Sequence, residues 1–211
     1  MRIDILTLFP EMIKPFIDSS IIARALKENK VQINIINFRD FSLLNNKQVD
    51  DTPYGGGAGM VLMCEPIYRA IESVRTKDSK VILLTPSAQL YNQKTAYALS
   101  KEKHLIIVSG HYEGFDERIK DYCDMSLSIG EYVLTGGELP ASVIVDSIVR
   151  LLPNVINEES LESESFTDDL FDYPVYTKPR VFNGVSVPEV YLSGDHKKIE
   201  EARKASRNSC N

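Results

Sequence analysis

The stretch IGEYVLTGGELPA, residues 129–141, joins an apolar segment, MSLSIG (125–130), to a helical one, LPASVIVDSIVRLLP (139–153). Three of the chain's 11 glycines lie within eight residues of this stretch, which is unusual for a helix. Because glycine tolerates positive φ and lets a ligand approach the bare main chain, the stretch indicates a shaped main-chain pocket. It also sets the pattern of the chain, which is strand, glycine-rich loop and helix.

The same alternation of strand and helix runs through most of the chain. The predicted strands are rich in Ile, Leu and Val and comprise residues 2–9, 32–38, 80–86, 104–110 and 125–130. The intervening segments place apolar residues three and four positions apart, as helices do, and comprise residues 11–29, 65–74 and 92–103. Strands that are apolar on both faces and alternate with helices predict an α/β fold, a mostly parallel sheet with helices on both faces.

Composition excludes several classes of protein. With 43% apolar and 26% charged residues the chain reads as an ordinary globular protein. No apolar run approaches the length of a membrane span, and the amino terminus lacks a signal-peptide pattern, so we expect a cytoplasmic protein that does not contact membranes. The three cysteines and three histidines are scattered, which disfavours a disulfide framework or a metal site.

Charge is distributed unevenly and indicates the domain organisation. Residues 157–172 carry seven carboxylates and no base, whereas residues 173–211 hold seven bases against four acids. We therefore predict a main domain at 1–156, a flexible acidic linker at 157–172 and a small helical unit at 173–211 that includes a helix over 196–206. The net charge of −6 argues mildly against gripping nucleic acid by charge alone, but the acidity is concentrated in the linker.

Glycine clusters mark the candidate site. Nine of the 11 glycines fall between residues 55 and 137, and most of the clusters follow a predicted strand, where open α/β sheets bind ligands. A single cluster is more commonly a flexible turn, but four in one domain favour a pocket. The clusters lack both the lysine of a phosphate-binding P-loop and the G-x-G-x-x-G pattern of dinucleotide enzymes.

Several motifs in fixed order carry a resemblance to a known family. They are TPYGGGAGMV (52–61), SGHYEGFDERI (109–119), SIGEYVLTGGELPA (128–141), RLLP (150–153), ESF (164–166), YPVYTKPRVF (173–182) and PEVYLSGDH (188–196). Together they cover essentially the whole chain. The chain resembles the bacterial tRNA (guanine-37-N1)-methyltransferases of the SPOUT class.

The resemblance implies a deep trefoil knot whose loops hold the methyl donor S-adenosylmethionine. Those loops correspond to Leu84–Ser87, Gly110–Glu113 and Ile129–Pro140. The residues it assigns to the donor are Leu84, Thr85, Pro86, Ser87, Gly110, Tyr112, Glu113, Ile129, Gly130, Tyr132, Val133, Leu134, Gly136, Gly137 and Pro140. Periodicity alone predicts an ordinary open sheet, since knots are nearly absent among folds.

The reaction that the resemblance implies needs a base and a cation. Guanine N1 carries a proton, so methylation calls for a base at N1 and charge stabilisation at O6. The resemblance gives the base to Glu164, where the family has aspartate, and the O6 contact to Arg150. It also assigns Asp172 as a second functional acid and Glu113 to the donor site, while Asp168 is a neighbouring candidate base. By composition alone these acids read as a solvated linker, and Arg150 as the partner of an acid one helical turn earlier.

The resemblance further implies a homodimer with each active site between subunits, the anticodon stem-loop of tRNA as partner, and Mg²⁺ as an assisting ion. Basic residues of the last segment are candidate phosphate contacts, namely Lys197, Lys198, Arg203, Lys204 and Arg207. Two alternatives stay open. One is an RNA-binding or regulatory domain that keeps a donor pocket without catalysis, and the other is a dehydrogenase-like nucleotide enzyme, which the missing dinucleotide motif disfavours.

Overall fold

The structure is a computed structural model that describes residues 1–157, 160–161, 164–166 and 170–207. Its contacts divide the chain into two compact units, Met1–Ile156 and Asn157–Asn211, which are described one at a time. Within the described ranges, no helix has both the length and the apolar character that crossing a bilayer requires.

A parallel sheet of five strands forms the centre of the first unit. Its strands lie in the order β2-β1-β6-β5-β7, and each neighbouring pair runs parallel. Their bounds are Arg2–Thr7 (β1), Gln32–Asn37 (β2), Ser79–Leu90 (β5), His104–Val108 (β6) and Met125–Ser128 (β7). A short antiparallel pair, β3 (Asp50–Asp51) with β4 (Val61–Leu62), lies outside this sheet. The predicted mostly parallel α/β architecture is confirmed.

The sheet separates two hydrophobic clusters, and helices cover both of its faces. One cluster joins Ile5 and Ile107 of the sheet to Ile144 of a helix, and the other joins Leu6 and Val108 to residues such as Ile67. Alternate residues of a strand point to opposite faces, so a strand buried on both faces must be apolar throughout. This is why β6 reads HLIIV and is buried along its whole length.

The helices of this unit are α1 (Pro10–Ile17), α2 (Ser20–Lys27), α3 (Cys64–Val74), α4 (Gln93–Leu99) and α5 (Glu138–Val149). The helical pattern over residues 11–29 is divided between α1 and α2. At the break, Ser19 is extended, with φ −120° and ψ 150°, and Ser20 has a φ of 52°. Serine readily leaves helical geometry, because its hydroxyl competes for nearby backbone groups, and here Ser19 Oγ donates to the carbonyl of Pro15.

Strand β5 pairs with β7 in two registers. Leu84 aligns with Leu127, and after a gap Gln89 aligns with the same Leu127. The intervening residues 85–88 therefore leave the line of the sheet as an excursion within the strand. The sequence prediction ended this strand at residue 86, because an apolar run cannot show a strand that resumes after an excursion.

The second unit contains a short hairpin, β8 (Val181–Phe182) with β9 (Val185–Ser186), followed by helices α6 (Glu189–Leu192) and α7 (His196–Ser206). The segment predicted to be helical over residues 196–206 coincides with α7, whose first turn is capped by the side chain of Asp195. The hairpin was not predicted. In the acidic segment, the Phe166 N–H donates to the Leu170 carbonyl at 2.8 Å.

Candidate active site

A cavity of about 300 Å³ opens beside residues 84–87 of β5 and at the carboxyl ends of β6 and β7. Its size lies at the lower end of small-molecule sites, which span roughly 300–1,000 Å³. Every residue that the resemblance assigned to the donor lines it: Leu84, Thr85, Pro86, Ser87, Gly110, Tyr112, Glu113, Ile129, Gly130, Tyr132, Val133, Leu134, Gly136, Gly137 and Pro140. The lining residues that sequence reasoning missed are His111, Gly114, Phe115, Leu127, Ser128 and Thr135.

Three chain segments form the wall of this cavity. The first is the excursion of β5 at residues 85–88, the second is the loop that follows β6, and the third joins β7 to α5. Parallel strands bring their carboxyl ends to one edge of a sheet, so loops distant in sequence converge there. The strand order places β5 between β6 and β7, which makes the three segments neighbours.

The loop after β6 is supported by the segment that carries the first glycine cluster. The Glu113 N–H donates to the Met60 carbonyl at 3.0 Å, and the Leu62 N–H donates to the Gly114 carbonyl at 2.9 Å. Gly59 lies directly against Glu113, with a φ of 80°, and a Cβ added there would meet the Glu113 side chain at 2.5 Å. Gly59 of this cluster thus helps to shape the cavity, because the absence of a side chain leaves room for the Glu113 carboxylate in the cavity lining.

Backbone packs directly on backbone where the second and third segments meet. The Gly137 N–H donates to the Gly110 carbonyl at 2.8 Å. A Cβ at Gly137 would lie 2.7 Å from the Gly110 nitrogen, which is closer than real contacts allow. A glycine is therefore required at the start of α5 for the two loops to approach each other.

A buried carboxylate ties the same loops together. Glu138, the first residue of α5, is 1% exposed. One of its oxygens accepts a hydrogen bond from the Thr7 hydroxyl at 2.5 Å, and the other lies 2.7 Å from Nε2 of His111. The His111 ring lies 4.5 Å from the ring of Phe9, which holds it from the other side. His111 lines the cavity, so this network fixes one wall of it.

The charges that line the cavity suit a ligand carrying positive charge. Glu113 contributes a carboxylate to the cavity lining, and among the described residues of that lining there is no Lys or Arg. Apolar contacts come from side chains such as Leu84, Ile129 and Leu134, while the glycines leave main-chain groups accessible. This combination can hold a flat heterocycle against apolar side chains and bind its polar edge through the backbone.

The remaining residues predicted to be catalytic belong to different units or lie outside the described residues. Arg150 is the half-buried residue at the carboxyl end of α5, in the first unit, and it is outside the cavity lining. Glu164 and Asp172 belong to the second unit, where the Asp172 N–H donates to Ser165 Oγ at 2.9 Å. Asp168 lies outside the described residues. In the parts of the chain that are described, no three His, Cys, Asp or Glu side chains gather as a metal site requires.

Comparison with known proteins gives this geometry a family. The family described as "tRNA (Guanine-1)-methyltransferase TrmD" matches residues 1–210 of the chain. The chain belongs to this family. The family that the motifs predicted is therefore confirmed, and so is its class of enzyme.

Curated relatives extend the match over nearly full lengths. A tRNA (guanine-N(1)-)-methyltransferase of Ureaplasma urealyticum is 58% identical over 205 residues, covering 97% of this chain and 90% of the relative. The protein of the same name from Malacoplasma penetrans is 56% identical, with coverage of 97% and 90%. That of Dictyoglomus turgidum is 51% identical, with coverage of 97% and 84%.

Proposed function

We propose that the chain transfers a methyl group from S-adenosylmethionine to N1 of guanosine 37 in tRNA. The observation that carries this proposal is the convergence of the β5 excursion and of the loops after β6 and β7 on one cavity, lined by all the residues that the family resemblance assigns to the donor. Family membership supports the reaction class, and the cavity supports the presence of a donor pocket in this chain.

The chemistry of the cavity fits the donor. S-adenosylmethionine supplies an electrophilic methyl group on a sulfonium, joined to an adenosine and an amino-acid portion. The Glu113 carboxylate would face the positive charge, since the lining described in the structure offers no cation to oppose it. The three segments of the lining present main chain as well as side chains, so a heterocycle can be read there by backbone hydrogen bonds.

A trefoil knot at this site is part of the proposal. It is supported by the backbone contact of Gly137 with Gly110 and by the excursion of β5 between its two registers with β7. Both features bring the three donor segments into one tightly packed region, as the knot of this family would. The knot would hold the cavity open without relying on long side chains.

The reaction at guanine requires groups from both units. A carboxylate takes the proton from N1, N1 forms a bond to the methyl carbon as the bond from carbon to sulfur breaks, and a cation stabilises the charge at O6. Arg150 is proposed as that cation and Glu164 as the base, with Asp168 as the alternative base and Asp172 as a supporting acid. Mg²⁺ is proposed as an assisting ion.

Assembly and substrate follow from the same proposal. We place residues 157–172 as the linker, residues 173–211 as the unit that contacts the anticodon stem-loop, and the active site between the subunits of a cytoplasmic homodimer. This is supported by the position of Arg150 outside the donor cavity and by the division of the proposed catalytic residues between two units. The basic residues of α7 are the proposed phosphate contacts.

One experiment tests the function and separates it from a binding protein without catalysis. Calorimetry with S-adenosylhomocysteine should show micromolar binding, and NAD should show none. A tRNA transcript incubated with labelled S-adenosylmethionine should then gain one methyl group, mapped to N1 of guanosine 37. Binding of S-adenosylhomocysteine and of tRNA without methyl transfer would assign the chain to a non-catalytic role. Methyl transfer to another atom would overturn the proposed position.

A further inference from the structure

The second unit contains a cavity of about 590 Å³ whose lining is aromatic and cationic. It is lined by Tyr173, Pro174, Val175, Tyr176, Thr177, Lys178, Arg180, Val187, Tyr191, Leu192, Ile199 and Arg203. Three of these residues are cations, and among the described residues of the lining none is Asp or Glu. In a chain whose net charge is −6, such a cavity departs from the average surface and indicates an anionic ligand.

Another surface cavity shows that this charge pattern is not general. The cavity between residues 40–47 and α3 mixes Asp40 and Glu65 with Lys47 and Arg69. Neighbouring charges of opposite sign neutralise one another there. In the cavity of the second unit, no acidic residue among the described lining residues neutralises the three cations.

The tyrosines of this cavity offer flat faces. The ring centroids of Tyr176 and Tyr191 lie 5.3 Å apart with their planes tilted by 40°, and Tyr176 is 49% exposed. The Arg203 guanidinium lies 4.8 Å from the centroid of the Tyr173 ring. Aromatic rings and guanidinium planes are the groups on which proteins stack unpaired RNA bases.

The unit also leaves apolar surface uncovered. Among its described residues none is buried, and Val175 and Leu192 of the cavity are 79% and 41% exposed. A unit this small cannot fill a large core by itself, and apolar surface gathered in one cavity marks a binding site. The ligand must therefore combine an apolar face with negative charge.

We propose that this cavity binds one unstacked RNA base together with the adjacent phosphate. The inference rests on the proposed function, from which the RNA substrate comes. The base stacks on Tyr176 and Tyr191, and Lys178 with Arg180 contacts the phosphate. Arg180 currently pairs with Glu189 at 2.8 Å, but both side chains are largely exposed, so a phosphate can compete for the guanidinium.

The test measures tRNA affinity of the full chain by fluorescence anisotropy. Tyr176→Leu and Tyr191→Leu should each weaken binding roughly tenfold, whereas Tyr176→Phe should keep wild-type affinity, because stacking needs the ring and not the hydroxyl. Tyr68→Leu is the matched control, since Tyr68 forms a similar tilted pair with Tyr122 in the first unit, with ring centroids 4.6 Å apart.

A charge variant supplies a readout that does not depend on folding of the aromatic cluster. Lys178 is exposed and has no ion-pair partner among the described residues. Lys178→Met should reduce the slope of log affinity against log salt by about one, as the loss of one phosphate contact does. Tyr176→Leu should weaken binding and leave that slope unchanged.

Three results would overturn the proposal. They are wild-type tRNA affinity in Tyr176→Leu and Tyr191→Leu with unchanged melting temperatures, an unaltered salt slope in Lys178→Met, or a change of oligomeric mass in the tyrosine variants without a change in tRNA affinity. The last result would give the cavity to a second copy of the chain. A wild-type chain that binds tRNA but transfers no methyl group would sink the proposed function alone, and one that binds no tRNA would overturn both.

Discussion

Nε2 of His111 lies 2.7 Å from an oxygen of the Glu138 carboxylate, and this contact joins the loop after β6 to the first turn of α5. The sequence did not predict this pair, because Glu138 looks like any acidic residue in the first turn of a helix. The His111 ring also contacts the Phe9 ring, with 4.5 Å between the ring centroids.

Replacing Glu138 by glutamine should weaken donor binding. In the amide one carboxylate oxygen becomes an NH₂ donor, so the Thr7 hydroxyl and the His111 ring no longer each contact an acceptor oxygen, and the mismatch costs about 1–3 kcal/mol. Urea unfolding should show a loss of that size, and calorimetry should show weaker binding of S-adenosylhomocysteine. The control is Glu131→Gln, an exposed carboxylate in the same loop. Unchanged donor affinity in the Glu138 variant would refute a role for this network in shaping the cavity.

Gly59→Ala should disturb the donor site more than Gly55→Ala. Both glycines have positive φ, 80° and 87°, so both variants acquire backbone strain of about 1 kcal/mol. Only at Gly59 does the new Cβ meet a neighbour, the Glu113 side chain, because the space around Gly55 is open. We expect similar losses in unfolding free energy but a drop in donor affinity for Gly59→Ala alone. Equal donor affinities would show that the Glu113 carboxylate is not held by this contact.

Arg150→Ala should abolish methyl transfer and leave donor binding nearly intact. The residue lies outside the donor cavity, and loss of a group that stabilises developing charge lowers turnover by roughly 10²–10³. The measurements are single-turnover methylation and calorimetry with S-adenosylhomocysteine. Arg24→Ala is the control, because Arg24 donates to the Val155 carbonyl and serves packing. A collapse of donor affinity in the Arg150 variant would contradict the proposed role.

Glu164→Gln should slow single-turnover methylation by roughly 10²–10⁴ if this carboxylate takes the N1 proton. The rate deficit should shrink as the pH rises, because guanine N1 then loses its proton to solvent more readily. Asp168→Asn and Asp172→Asn are compared under the same conditions. A wild-type rate for Glu164→Gln beside a large loss for Asp168→Asn would move the base four residues along the linker.

Asp116 should give the unfolding free energy a dependence on acid. Its side chain accepts hydrogen bonds from Arg118, chiefly through the guanidinium, and these hold the pKa of the carboxyl below its usual range. A carboxyl with a lowered pKa in the folded state stabilises the fold above its ordinary pKa, and this contribution disappears as the pH falls through the folded value. The difference in unfolding free energy between wild type and Asp116→Asn should therefore shrink as the pH falls below the ordinary pKa of an aspartate, about 4. Asp121→Asn, within the 3₁₀ helix Glu117–Tyr122 that Asp116 caps, is the control and should show a smaller change; equal pH profiles would rule out the pairing.

Most of the strands could be predicted from the sequence because parallel strands covered on both faces are mostly apolar; Asp4 and His104 are buried exceptions that bond to each other. β1, β2, β6 and β7 accordingly begin at the residues predicted and end one or two residues early. The short pairs β3–β4 and β8–β9 leave no such trace, since two residues cannot display a period. The break between α1 and α2 depends on the geometry of Ser19 and Ser20, which apolar spacing does not record.

The candidate site was predictable in part for a similar reason. Glycines grouped after β6 and β7 indicated a pocket, because close backbone packing excludes side chains there, whereas the glycine-free segment Leu84–Ser87 came from the family resemblance alone. What escaped prediction was the contact between distant groups, such as Thr7 with Glu138 across 131 positions of sequence. Such pairs depend on the order of strands in the sheet, which a single sequence does not reveal.

The pairing of Leu127 with both Leu84 and Gln89 also bears on how this protein folds. Both ends of the ligand-facing excursion pair with β7 (Met125–Ser128), a strand that is synthesised well after β5. Because contacts between such distant segments form slowly, competence to take up the nucleoside should arise as one of the last events after synthesis. The time course of ligand binding after refolding would then report when the native topology is complete.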